Sequence, residues 1–214
     1  MTVLSAHQPA FMAYPGYYRR VAKSDIFVFM TGVQFERGSF INRNVINGPN
    51  GNQWLTVPLM MNGHMSKRIN QMEVARAQPW RRKHRAMIQH AYAKAPLFKQ
   101  RWPRIQEHYD DLTSGELWRV CSTDFAFWTK EYGLGDIPVI LNNTHKIRSE
   151  ELVELCQEYG ADTYLSGPLG RNYVDRSVFE KAGIELKFDF TTPNKFSILH
   201  YWLHSEETPW KARP

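Results

Sequence analysis

The stretch from Thr2 to Met30 constrains this chain most. Val3-Leu-Ser-Ala is a short apolar run of strand character that stops abruptly at His7-Gln8-Pro9. Gly16-Tyr-Tyr-Arg-Arg-Val-Ala-Lys then reads as a helix, and Asp25-Ile-Phe-Val-Phe-Met as a second, buried strand. Pro9 lacks an N–H and pushes Gln8 towards an extended conformation, so the chain cannot run straight from strand into helix. A strand–loop–helix–strand unit of this kind places the chain in the α/β class, where ligands collect beyond the carboxyl ends of the strands. Its first loop carries an imidazole and an amide, His7 and Gln8. The same pair is also compatible with a capped strand end.

The chain has 214 residues, of which 43% are hydrophobic and 14% aromatic, enough for a real core and too apolar for a disordered chain. No apolar run approaches the roughly 20 residues of a membrane-spanning helix, and Thr2–Ala6 leads into polar residues rather than a secretory signal. Cys121 and Cys156 lack metal-ligand spacing and read as buried free thiols of a reducing compartment. A cytoplasmic protein without a membrane partner is expected, in the host cytoplasm if it is a phage protein.

Charge is unevenly spread. Between His64 and Arg104 eleven lysines and arginines face Glu73 alone, so this segment carries +10 of a net +6 and the rest of the chain −4. A basic segment on a near-neutral body fits a polyanionic partner, and interleaved Trp80, Tyr92 and Trp102 fit nucleic acid. A merely solvated basic helix fits the same residues.

Further along, two β-rich runs, Ser39–Ile46 and Gln53–Pro58, flank Asn47-Gly-Pro-Asn-Gly-Asn and predict a hairpin. Alternation puts Phe40, Asn42 and Asn44 on one face and Ile41, Arg43 and Val45 on the other. A short strand is expected near Ile69–Val74. Helical spacing from Trp80 gives an inward stripe of Trp80, His84, Met87, Ile88 and Ala91, with Lys83 at its edge and Arg81, Arg82 and Arg85 facing outwards. His84 is then either a core histidine or a ligand group. Helices are expected over 103–110 and 116–132, a strand over 138–141, a helix capped by Ser149, and a strand over 163–166. The glycine-rich Gly167-Pro-Leu-Gly-Arg-Asn-Tyr follows; its backbone and Arg171 could hold an anion, or it is an ordinary turn. A short helix over 178–183, a strand over 184–188 and a packing helix over 196–203 precede a tail, 205–214, expected to fray. The chain is expected to be a single α/β domain over 1–204, a mixed central sheet with an N-terminal strand–helix–strand unit, a β-hairpin and a helical basic insertion at about 64–104.

Several of these segments together resemble the WbqC-like family. They are His7-Gln8-Pro9, Tyr17-Tyr18 with Ser24–Val28, Val33-Gln-Phe-Glu, Phe40-Ile-Asn-Arg-Asn, Trp54-Leu-Thr-Val-Pro, Lys83-His84, Tyr92 with Lys94-Ala-Pro, Tyr164-Leu-Ser-Gly, Gly170-Arg-Asn-Tyr and Ser197-Ile-Leu. Some members resemble transferases for nucleotide-activated sugars of surface-polysaccharide assembly. Similar phage proteins resemble amino acid:DNA transferases, which place an amino acid such as glycine on a phosphorylated 5-hydroxymethyluracil of double-stranded DNA. Members commonly carry an acidic pair before the Val-Gln-Phe-Glu stretch, where this chain has Thr31-Gly32 and so offers no carboxylate for an acid–base or metal role at these two positions.

The resemblance implies a substitution at the 5-methylene carbon, which needs a base, charge neutralisation at the leaving group, and a grip on the amino-acid carboxylate. His7 is expected as base, with a pKa near neutrality, beside Gln8; Glu36, close to Gln34, is the rival base. Lys83, His84, Arg171 and the Gly167–Gly170 backbone are expected at the phosphate, Asn42 and Arg43 at the carboxylate or base edge. Gln34, Ser166 and Tyr173 complete the substrate set. Lys67, Arg68, Arg81, Arg82 and Arg85 are expected on the DNA backbone, with the target base extruded. No cofactor and no metal are expected. A nucleotide-sugar transferase and a non-catalytic DNA-binding accessory protein remain open.

Overall fold

The computed structural model describes residues 1–113, 115–135, 137–143, 148–189 and 196–210. Its first elements are β1 (Val3–His7), α1 (Pro15–Ala22) and β2 (Ile26–Met30), the unit anticipated from the opening stretch. Phe27, Val28, Phe29 and Met30 are all fully buried, which a strand covered on both faces requires. A hairpin follows, β3 (Arg43–Gly48) and β4 (Gly51–Thr56), paired antiparallel around Pro49-Asn50. Gly51 closes this turn with φ +104°, a conformation that favours glycine.

Three helices come next: α2 (Trp80–Tyr92), α3 (Phe98–Asp111) and α4 (Leu117–Glu131). The last part returns to strand–helix alternation with β5 (Val139–Asn142), α5 (Ser149–Glu158), β6 (Thr163–Ser166), α6 (Arg176–Lys181), β7 (Glu185–Phe188) and the closing α7 (Ile198–His204). The fold class is α/β. The central sheet has the order β5-β2-β1-β6-β7, and its pairings are parallel throughout.

Aromatic side chains weld one face of this sheet. Phe125 of α4 packs on Phe27 and Phe29 of β2 and on Tyr17 and Tyr18 of α1, at centroid distances of 5.1–6.4 Å. Phe179 of α6 covers Tyr164 of β6 at 5.5 Å on the other face. Each such ring removed from water stabilises the fold by about 1.5–3 kcal/mol.

Some local expectations needed correction. Residues 69–71 form a 3-10 turn, with only isolated bridges at Glu73 and Val74. The α5 N-cap is Arg148; the Ser149 hydroxyl instead accepts the Asp175 N–H and ties α5 to α6. The tail is anchored as far as Trp210, which is buried against Tyr18 and Tyr132; residues 211–214 lie outside the described residues.

Candidate functional site

The strand order reverses at β1, whose neighbours are β2 on one side and β6 on the other. In open parallel sheets, the crevice at such a switch point, beyond the strand carboxyl ends, is where ligands bind. Here that position is bounded by His7-Gln8 after β1 and Ser166-Gly167 after β6.

Arg20 of α1 occupies it. Helix α1 buries Tyr17, Tyr18, Arg20 and Val21, so the guanidinium comes from the inner face of an otherwise apolar stripe. Arg20 is only 4% exposed, and its Nη2 has no hydrogen-bond partner within the protein. A Cβ at Gly167 would stand 2.6 Å from Arg20 Nη1, so the guanidinium lies directly against the β6 loop and position 167 has no room for a side chain. The flanking cations behave differently: Arg19 and Lys23 both pair with the buried Asp189, at 3.4 and 2.7 Å. Among the described residues no carboxylate pairs with Arg20. A guanidinium taken out of water without a counter-charge costs several kcal/mol. A bound anion removes that cost.

His7 lies close enough to Arg20 to feel its charge. Its Nδ1 is 2.8 Å from the Gln8 carbonyl, which can only accept, so Nδ1 carries the proton and Nε2 keeps the lone pair. The same carbonyl accepts the Tyr17 hydroxyl at 3.3 Å, and the His7 ring meets Tyr17 edge-on at 5.0 Å. The residue is half-buried. Burial, followed by the Arg20 charge, pulls the His7 pKa down to about 3. The expected near-neutral base is therefore a neutral hydrogen-bond acceptor at pH 7. An anion on Arg20 cancels part of that charge and moves His7 back up. Arg20 also acts to lower the phenols of Tyr164 and Tyr173, although burial raises both overall.

The loop carrying His7 is pinned by the core. Met12 is the one described non-glycine residue at positive φ, +46°, and that conformation is costly. Its N–H donates to Asp124 Oδ2 at 2.6 Å and its carbonyl accepts Asn44 Nδ2 at 2.8 Å. Asp124, fully buried on α4, also accepts from His108 Nε2 at 2.9 Å and Trp128 Nε1 at 3.1 Å.

The structure brings His7, Gly167 and Tyr173 near the Arg20 guanidinium, with Gln8 and Ser166 their neighbours in sequence, and leaves other predicted residues elsewhere. Gly170 packs against Ser166, with a Cβ there 2.0 Å from Ser166 Oγ, and its N–H already donates to the Gly167 carbonyl, so it does not point at a phosphate. Arg171 is exposed and stacks over Phe188 at 5.3 Å, bordering a shallow cavity of about 480 Å³ whose largely apolar lining also carries Lys23, Arg176, Lys187 and Asp189. Asn42 and Asn44 are buried structural amides; Asn42 Nδ2 donates to the Val57 carbonyl. Gln34 is exposed and bonded to the Met65 carbonyl, and the exposed Glu36 is not among the charges that set His7.

His84 uses both ring nitrogens internally, Nε2 on the Thr56 carbonyl at 3.0 Å and Nδ1 on the Tyr109 hydroxyl at 3.2 Å, while Lys83 is exposed. Neither is brought to the crevice. Of the presumed DNA contacts, Arg81 donates to the Leu112 carbonyl and Arg85 pairs with Asp110 at 2.6 Å; Arg82 is exposed, and Lys67 and Arg68 are half-buried. Among the described residues no group of three metal-ligating side chains gathers, and no helix is long and apolar enough to cross a membrane.

Burial pulls His84 from 6.5 to about 4, against the hydrogen bond to Thr56, and His7 and His200 shift in the same direction. In the unfolded chain these rings protonate first. Their contribution is therefore fully present above about pH 6.5 and lost as pH falls from there towards 4. Urea midpoints should drop between pH 7.5 and pH 5. His84→Gln should flatten the dependence by about one proton, roughly 1.4 kcal/mol per pH unit. An unchanged slope would contradict this role for His84.

Together the sheet order and the buried arginine define an α/β protein that holds a guanidinium at its topological switch point. Residues 8–199 match the WbqC-like protein family, and the chain belongs to it. It is also 26% identical over 191 residues to a Mycobacterium tuberculosis (strain ATCC 25618 / H37Rv) protein described as "Uncharacterized protein Rv1507c", covering 86% of this chain and 80% of that one. No solved structure matches.

Proposed function

We propose that this protein is a transferase that seats an anionic group of its substrate on Arg20. In its specific form it attaches an amino acid, glycine first, to a phosphate-activated 5-hydroxymethyluracil in double-stranded DNA. The observation that carries the reading is the buried, unpaired Arg20 at the β1–β6 switch point. An amino-acid carboxylate matches the planar fork of a guanidinium. Arg20 thus takes the role first expected of Arg43.

The amino acid's ammonium group gives one proton to solvent water, and the freed lone pair attacks the 5-methylene carbon. The C–N bond forms, and the extra proton on the new secondary amine passes to solvent. The C–O bond breaks, and its electron pair leaves with phosphate or pyrophosphate. His7 Nε2 accepts a hydrogen bond from the amine, and Ser166 and Tyr173 border the anion. The basic segment offers Arg82 and Lys83 to the DNA backbone, which makes binding salt-dependent.

A nucleotide-activated sugar is the second reading. It is favoured by Arg81 and Arg85 being committed to Leu112 and Asp110, which shrinks the surface available to a long polyanion. Mass spectrometry of nucleosides from a 5-phosphomethyluracil duplex incubated with protein and glycine separates the two. The proposal expects loss of phosphate with gain of glycine, abolished by Arg20→Met. An unmodified duplex, with tight mononucleotide binding that needs Arg20, would contradict the DNA form and favour the sugar nucleotide.

A further inference from the structure

Among the described residues three aromatic side chains are exposed: Phe40, Trp54 and Tyr173. Tyr173 belongs to the loop beside Arg20. The other two touch each other, Trp54 on β4 and Phe40 just before β3, Phe40 49% and Trp54 41% exposed, with ring centroids 5.7 Å apart and planes 40° apart. Arg43 lies over Trp54 with its guanidinium carbon 4.2 Å from the ring centroid, and its Nη2 donates to the Gly38 carbonyl at 2.5 Å. Gly38 sits at φ +87°, so the turn that presents this carbonyl favours a glycine. The stack is thus preformed: two rings and one guanidinium held in contact, with large aromatic area left in water.

A cation–π pair at an exposed position contributes little to stability, and leaving two large rings in water has no folding benefit. The surroundings are cationic. Between Val33 and Thr56 Glu36 is the only acid, against Arg37 and Arg43. Lys67 and Arg68 pair with Phe35 and Gln34, on the segment that leads to Phe40, through the Phe35 N–H bond to the Lys67 carbonyl and the Gln34–Arg68 bridge. Aromatic rings beside backbone-binding cations form the arrangement that stacks unpaired nucleobases.

We propose that the Arg43–Trp54–Phe40 stack receives an unpaired base of a DNA strand. The inference rests on the DNA form of the proposed function: extruding a target base breaks a pair and leaves π-faces unstacked, and a duplex that stays intact offers none. The stack shares no residue with the Arg20 site, and it holds the strand while Arg20 holds the small anion.

The test is fluorescence anisotropy of a ten-nucleotide oligothymidylate with tryptophan quenching, on wild type, Trp54→Ala, Phe40→Ala and the control Trp118→Ala. Trp118 is a half-buried tryptophan with Arg119 over it at 4.4 Å, without a second exposed ring. Wild type should bind with quenching. Trp54→Ala should weaken binding about tenfold and remove most of the quench, Phe40→Ala should weaken it less, and the control should not change. An abasic oligonucleotide should bind wild type and Trp54→Ala alike. Oligothymidylate binding by wild type that Trp54→Ala leaves unchanged would overturn the stack and leave the DNA reading intact. Quenching by thymidine monophosphate without oligonucleotide binding, or equal binding of a ribo-oligonucleotide, would overturn the commitment to DNA. Failure to bind any nucleic acid would overturn both this inference and the DNA form of the proposed function.

Discussion

Asp124→Ala is expected to destabilise the protein by about 3–5 kcal/mol, the cost of removing one partner from a buried charged network. That corresponds to a melting-temperature loss of roughly 10 °C in a chain of this size. The carboxylate has three donors, the Met12 N–H, His108 Nε2 and Trp128 Nε1, all without access to water once it is gone. Asp124→Asn keeps an acceptor but not the charge, and should fall between wild type and alanine. The effect should also reach the crevice. Met12 holds its positive φ only because Asp124 and Asn44 grip its two peptide groups. Releasing it frees the segment between β1 and α1, which carries Gln8 and the carbonyl that fixes the His7 tautomer. Thermal unfolding together with anion binding checks this: a variant within 1 kcal/mol of wild type, by the ordinary standard of surface changes, would contradict the network's role.

The opposite trade is expected of Arg20→Met. Methionine fills a comparable shape without charge, and replacing an uncompensated buried cation with an apolar side chain is expected to stabilise the empty protein by about 1–4 kcal/mol. Affinity for the anionic substrate should drop on the order of a hundredfold, because the ligand's charge would then be buried without its partner. Arg20→Lys keeps a point charge but not the planar fork, so it should recover part of the affinity for phosphate and less for a carboxylate. A single substitution that raises stability while removing binding is the signature of a functional residue held at the fold's expense. Lower stability in Arg20→Met would instead mean that the guanidinium serves the core.

Much of the frame could be read from residues alone. The strand–helix–strand opening, the hairpin at Pro49-Asn50 and the inward stripe of α2 all rest on local periodicity and turn chemistry, which tertiary contacts did not override. Strand order did not follow from such patterns. That β5 lies beside β2 and β6 beside β1 depends on contacts between segments more than a hundred residues apart.

The site shows the same division. His7, Gln8, Ser166 and Gly167 lie at the ends of β1 and β6, and strand ends are legible from local pattern. Arg20 was passed over as one of two arginines on a helix, although Tyr17, Arg20, Val21 and Ser24 share the buried i, i+3, i+4, i+7 stripe. A cation inside an apolar stripe was the available signal. Asp124, within Leu117, Val120, Cys121 and Trp128, carried the same one. The fates of Arg81 and Arg85 had no local signal, because their partners, Leu112 and Asp110, come from α3 and the residue that follows it.

The most direct measurement is the stability of wild type and Arg20→Met across a phosphate and glycine series at constant ionic strength. The account predicts that wild type gains stability with ligand concentration along a saturating curve, starting below Arg20→Met in ligand-free buffer and rising to meet or pass it. Arg20→Met should show no ligand dependence. Parallel responses in the two proteins would contradict an anion site at Arg20, and with it the claim that the β1–β6 crevice is where this protein holds its substrate.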